Sequence, residues 1–232
     1  MAGACALACL LFIPPGSLPA PCNTPWGAVA WLALFCTSAL CSKTAETEFS
    51  GIRGRVGNDI VKAGLARAVM ARAVLTGTVI ALLAWCAWRR GVPGSPLNVG
   101  TYAAMPFLEL FGPYGKAGLF LLFAGLLLAR PGLWPGSSTG SFDARMRRLG
   151  WCCLLCAVFV PNPMAAFQAS AAWTVAGDWL LFWTAAVLLY RLPLPGRWSG
   201  PLWPAALCCL AGGGLLLAEL HGTAGIFSAN GL

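Results

Sequence analysis

Acidic side chains are scarce in this chain, so each one is a candidate for chemistry. There are seven: Glu46, Glu48, Asp59, Glu109, Asp143, Asp178 and Glu219. Two of them, Glu46 and Glu48, share one polar stretch with Arg53, Arg55 and Asp59. Folded against apolar helices, such opposed charges pair, shift their protonation equilibria, and relay protons or hold a polar headgroup. Left in water, the same groups form surface ion pairs that contribute little. Asp178 is different because it interrupts the apolar run 169–190. An ionisable group at membrane depth is costly and marks a functional position by default; it lines a polar cavity or meets interfacial water. Glu109, just before Gly112-Pro113, reads as interfacial, and Glu219 reads as a group that snorkels to the headgroups from the end of the last apolar run.

Thiols are the other reactive groups. Of 11 cysteines, Cys36, Cys86, Cys152, Cys153, Cys156, Cys208 and Cys209 lie inside apolar runs, where cysteine packs as a small hydrophobe. Cys152 and Cys156 share a helical face at i, i+4, but no histidine or second pair completes a metal spacing. The sole histidine, His221, excludes bis-histidine haem ligation within the chain. Phosphate-cradling glycine loops, zinc spacings and nucleophile elbows are absent. The expectation is a chain that binds no cofactor by itself.

These residues must be positioned by elements made for lipid. The chain is 59% hydrophobic and only 9% charged, with a mean hydropathy of +0.75, where a soluble domain carries about 25% charged residues. Such a sequence lacks the polar surface to cover a core in water, and a bilayer removes that need. Its 11 Trp, 28 Gly and 17 Pro suit membrane helices and their interfaces. Apolar runs are expected to span at 25–41, 67–88, 116–130, 149–160, 169–190 and 202–219. The predicted fold is therefore all-α, a polytopic transmembrane helical bundle of about six spans, some short or interrupted. Residues 1–24 form a separate N-terminal apolar segment, a targeting segment or half-helix ended by Pro14-Pro15, ahead of a transmembrane domain at 25–232.

The net charge of +8 is explained by topology, because the positive charges sit between apolar runs. The predicted loops 42–66, 131–148 and 191–201 hold Lys43, Arg53, Arg55, Lys62, Arg145, Arg147, Arg148, Arg191 and Arg197; the opposite loops hold Arg89 and Arg90, with Lys116 at a boundary. That asymmetry is the positive-inside pattern, so the basic loops face the cytoplasm or an organellar matrix and meet lipid headgroups. Lipids, and not nucleic acid, are the expected partners of the basic charge.

One segment carries a resemblance. Thr47-Glu48-Phe49-Ser50-Gly51-Ile52-Arg53 resembles the acidic-aromatic-Ser-Gly stretch of the H-type membrane subunit of respiratory complex I, subunit 1 in mitochondria, and of the related membrane subunit of energy-converting hydrogenases. Residues 32–46 (LALFCTSALCSKTAE) resemble the helix before that stretch, and 116–130 with 143–155 (DARMRRLGWCCLL) resemble the penultimate family helix, its loop and the next entry. The likeness covers residues 26–160 in patches. The first half of the family subunit has no counterpart, and two further spans follow residue 160. The resemblance implies a non-catalytic membrane subunit of a redox-driven, ion-translocating respiratory assembly in a bacterial or mitochondrial inner membrane. It would be an oxidoreductase subunit and no enzyme alone. Glu48 and Arg53 would lie near a quinone cavity shared with partner subunits, membrane and peripheral, and Glu46 would match the acid ending the preceding helix. Two other functions fit the residues: a structural or assembly subunit of another membrane complex, and a small transporter or lipid-modifying enzyme working through Asp178 and the broken helices around Pro161 and Pro163.

Overall fold

A computed structural model describes residues 2–15, 18, 20–49, 55–103, 110–130, 142–160, 171–192 and 202–229, with side chains at all of these except 42–49, 55–66, 68, 103, 143, 171–172 and 223–229. The described residues form eight helices and no strand: α1 (Ala2–Leu10), α2 (Gly27–Phe49), α3 (Arg55–Arg89), α4 (Val99–Ala103), α5 (Pro113–Leu128), α6 (Phe142–Phe159), α7 (Ala171–Arg191) and α8 (Trp203–Ala229). The all-α expectation holds. Three segments are long and apolar enough to cross a membrane: Val69–Arg89 in α3, Trp173–Arg191 in α7 and Trp203–Gly222 in α8. The apolar parts of α2 (Gly27–Cys41) and α5 (Pro113–Leu128) are shorter; at 1.5 Å per residue, 16 residues reach about 24 Å against a hydrocarbon core of about 30 Å.

Parts of two expected loops are helical. Residues 42–49 continue α2 and residues 55–66 open α3, so the polar stretch 42–66 is mostly two helix extensions. The basic residues Arg145, Arg147 and Arg148, expected in loop 131–148, lie in the first turns of α6. Hydropathy separates lipid-facing from polar chain, but it does not separate helix from coil. Lys, Glu, Ala and Arg are good helix formers wherever the helix leaves the lipid.

The core is aromatic where α2 meets α6. Trp31 stacks on Phe35 at 5.0 Å between ring centroids, and both rings lie against Trp151, at 5.9 and 5.2 Å. The Trp151 indole N–H donates to the Leu126 carbonyl (3.0 Å), tying α6 to α5 and satisfying a polar group that is otherwise costly to bury. The α5–α8 contact is closer still. A Cβ on Gly118 would lie 2.7 Å from the Gly212 carbonyl oxygen, and one on Gly212 would lie 2.6 Å from that of Gly118. Only glycine permits this backbone approach, the usual device for packing helices in lipid.

The short α1 runs antiparallel to α2, because the Ser38 hydroxyl donates to the Ala2 carbonyl (2.8 Å) while the Cys9 thiol donates to the Trp31 carbonyl (3.7 Å). Residues 2–10 of the N-terminal segment are helical. Helix α3 ends in a Schellman turn: Gly91 N–H donates to Trp88 and Val92 N–H to Ala87, with Gly91 at φ +66°. That turn leaves Arg90 at the helix end.

Candidate functional site

Charged side chains gather at two opposite ends of the bundle. At one end α3 finishes, α5 begins and the second half of α8 passes by. Helix α5 starts at Gly112 with Pro113 in its first turn and has no side-chain cap of its own. Its free N–H groups are satisfied from α8. Glu219 Oε1 accepts from Gly112 N–H (2.8 Å), Glu219 Oε2 accepts from Gly115 N–H, and Arg90 Nη2 donates to Oε1 (3.1 Å). One carboxylate therefore takes the N–H of the N-cap residue Gly112 and that of the third helical residue Gly115, work that a capping box divides between two side chains. The negative charge also sits where the helix dipole is positive. The Glu219 side chain is only 8% exposed. Its expected role at the headgroups is therefore corrected: it is a buried strut between α8, α5 and α3. A Cβ on Gly115 would lie 2.9 Å from Glu219 Oε2, so glycine there admits the carboxylate. The Arg90 guanidinium also lies over the Phe111 ring, 5.2 Å from its centroid.

At the other end α5 finishes, α6 begins and α7 finishes. Arg130, 2% exposed, donates from Nη1 to the Leu189 carbonyl (2.8 Å) and from Nη2 to that of Leu192 (2.5 Å). Arg148 donates to the Tyr190 carbonyl and lies over the Tyr190 ring at 4.6 Å. Two guanidiniums thus cap the last turn of α7, where carbonyls lack helical partners and the dipole is negative. Arg147 faces the other way and donates to the Ser38 carbonyl (3.2 Å), which links α6 to α2.

The residues singled out from the sequence separate into two places. Glu46 and Glu48 belong to the last turns of α2, and Arg55 and Asp59 to the first turns of α3. Their side chains, and Arg53 altogether, lie outside the described residues. Asp178 is buried, 5% exposed, on α7. It precedes Arg191 by 13 residues, about 20 Å of helix, so it does not join the arginines at the α7 terminus. Thr174 lies one turn before it. Sequence reasoning passed over Glu219, Arg90, Arg130 and Arg148 as a group. Their only sequence signal is that each stands at the edge of an apolar run.

Cys152, Cys153 and Cys156 are fully buried and packed in the core, and the described residues contain no cluster of three or more metal-ligating side chains. Between α2, α3 and α6 a cavity of about 10 Å³ is lined by Phe35, Cys36, Arg72, Thr76 and Trp151, room for about one water molecule. A second, apolar cavity of about 20 Å³ lies among Val79, Leu83, Tyr102, Leu126, Leu155 and Phe159. Tyr102, on the short α4, donates its hydroxyl to the Pro96 carbonyl (2.6 Å), and burial pushes its ionisation well above the ordinary tyrosine range, with Cys86 adding to the effect. It therefore acts as a neutral donor. Comparison with protein-family models, with curated proteins and with solved structures finds no match for this chain.

Proposed function

We propose that this chain is a multi-pass membrane protein acting as a non-catalytic subunit of a larger membrane assembly. One observation carries this reading. The Glu219–Arg90 pair, Arg130, Arg147 and Arg148 all serve to join one helix to another, as caps or carbonyl clamps. Charges placed in a transporter path face a polar cavity, and among the described residues the cavities beside Arg72 and beside Tyr102, of about 10 and 20 Å³, are too small to pass a solute. In this reading α2, α3, α5, α6, α7 and α8 cross the bilayer, and the arginine-rich end faces the cytoplasm or matrix.

The resemblance at residues 47–53 supports a narrower form of the proposal, a subunit of an ion-translocating respiratory assembly of the complex I type. Glu46 and Glu48 at the end of α2, and Arg55 and Asp59 at the start of α3, are the residues that such a site at the edge of a partner's quinone cavity would use. The deciding experiment is extraction in mild detergent, then native electrophoresis and mass spectrometry of whatever migrates with the chain. Migration within a larger complex is expected; migration as a monomer or homo-oligomer sinks the subunit reading. Iron–sulfur and quinone-reducing or hydrogenase subunits in that band would uphold the narrower form, and their absence would overturn it. Within such a complex, Glu48→Gln with Arg53→Gln is expected to reduce coupled turnover.

A further inference from the structure

The arginine-rich end holds more positive charge than its structural tasks require. Residues 126–148 and 189–200 contain Arg130, Arg145, Arg147, Arg148, Arg191 and Arg197 against a single acid, Asp143. Arg130 and Arg148 converge on the last turn of α7, close enough for the charge of one to act on the other. A helix C-terminus carries roughly half a negative charge, so two guanidiniums leave about one and a half positive charges there uncompensated. Each also keeps its Nε–H without a hydrogen-bond partner. Arg145, one turn before Arg148 on α6, and Arg191, next to Tyr190 at the end of α7, have exposed side chains, and Arg148 is half-buried. Next to them along α7, Leu181, Val187, Leu188 and Leu192 are exposed and apolar.

We propose that this end binds the phosphate headgroup of an anionic phospholipid, held by Arg145, Arg148 and Arg191 on the base formed by Arg130, with the acyl chains lying along the outer face of α7. Guanidinium forks match phosphate oxygens two at a time. The contiguous apolar face favours a lipid over a free anion, because it gives the chains a surface continuous with the charged end. The inference rests on the membrane reading above, which fails separately if the chain is recovered in the soluble fraction.

The test uses the full chain purified in a nonionic detergent at fixed ionic strength. Phosphatidylglycerol, phosphatidylcholine of the same acyl composition, or inorganic phosphate is added. Thermal unfolding is followed, and retained lipid is counted by native mass spectrometry. Phosphatidylglycerol is expected to raise the midpoint by several degrees more than phosphatidylcholine and to remain bound with a stoichiometry of about one. Arg145→Gln with Arg191→Gln is expected to weaken phosphatidylglycerol binding roughly 30-fold, given the worth of two basic residues at an anionic surface, while the lipid-free variant still unfolds in one cooperative transition. Arg89→Gln, at the opposite end, should leave binding intact. Equal responses to the two lipids overturn the proposal, as does a double variant that keeps the full response. A response reproduced by inorganic phosphate alone overturns the lipid assignment. If the double variant does not fold, the wild-type comparison of the two lipids decides.

Discussion

The two ends of the bundle solve the same problem with opposite charges. The start of α5 needs acceptors and receives a carboxylate from α8; the end of α7 needs donors and receives guanidiniums from α5 and α6. Both choices follow the helix dipole. They differ in balance. Glu219 has Arg90 as a counter-charge, so the group that caps α5 is neutral as a pair. Arg130 and Arg148 rest on carbonyls, so their end stays positive. A buried carboxylate in lipid depends on its partners, whereas an arginine can keep part of its fork turned to headgroups and water. The first end is built for rigidity, and the second leaves charge for something outside the chain.

The largest expected effect breaks the neutral pair. Glu219→Ala removes a buried carboxylate, strands Arg90 and uncaps α5, and should cost about 4 kcal/mol, within the range for one lost partner of a buried pair. Thermal unfolding in detergent micelles measures it. Glu219→Gln should cost less, since the amide oxygen still accepts one backbone N–H. A loss below about 1 kcal/mol for the alanine variant would show that the strut carries no weight.

Arg130→Met is the matching change at the positive end, and about 2 kcal/mol is expected. Two charge-assisted hydrogen bonds are lost, but a buried charge without a counter-ion goes with them. If this variant is as damaging as Glu219→Ala, the contrast between the paired and unpaired ends fails. Gly115→Ala should also cost about 2 kcal/mol, because the new Cβ would sit 2.8 Å from Phe111 and 2.9 Å from Glu219 Oε2. Combined with Glu219→Ala, only the share of that loss due to the carboxylate should vanish, because the contact with Phe111 remains.

How much of this was legible in the sequence depends on the range of the interaction. The apolar runs 67–88, 169–190 and 202–219 fall inside α3, α7 and α8 to within a few residues, because lipid imposes one hydropathy rule along the whole segment. Residues 42–49 and the basic start of α6 were misjudged as loops, since a helix outside lipid carries no apolar signature. Glu219 looked like a surface group because its partners lie 104, 107 and 129 residues away. No local pattern encodes a cap delivered by another helix. Asp178 was legible as an acid inside an apolar run, but the sequence left open whether it meets interfacial water or a cavity; it is buried on α7.

The smallest predicted effect is the most discriminating for the positive end. Arg148→Gln keeps a donor within reach of the Tyr190 carbonyl but removes the charge from the α7 terminus and from the Tyr190 ring. A cost of about 1 kcal/mol is expected at low salt, the usual scale for a cation at a helix C-terminus. Arg148 is only half-buried, so salt should screen that contribution and shrink the difference from wild type. Measuring the midpoint of both proteins across a salt series separates the two components. A difference that fades with salt assigns Arg148 to the dipole of α7. A constant difference assigns it to packing on Tyr190, and the excess charge at this end would then rest on Arg130, Arg145 and Arg191 alone.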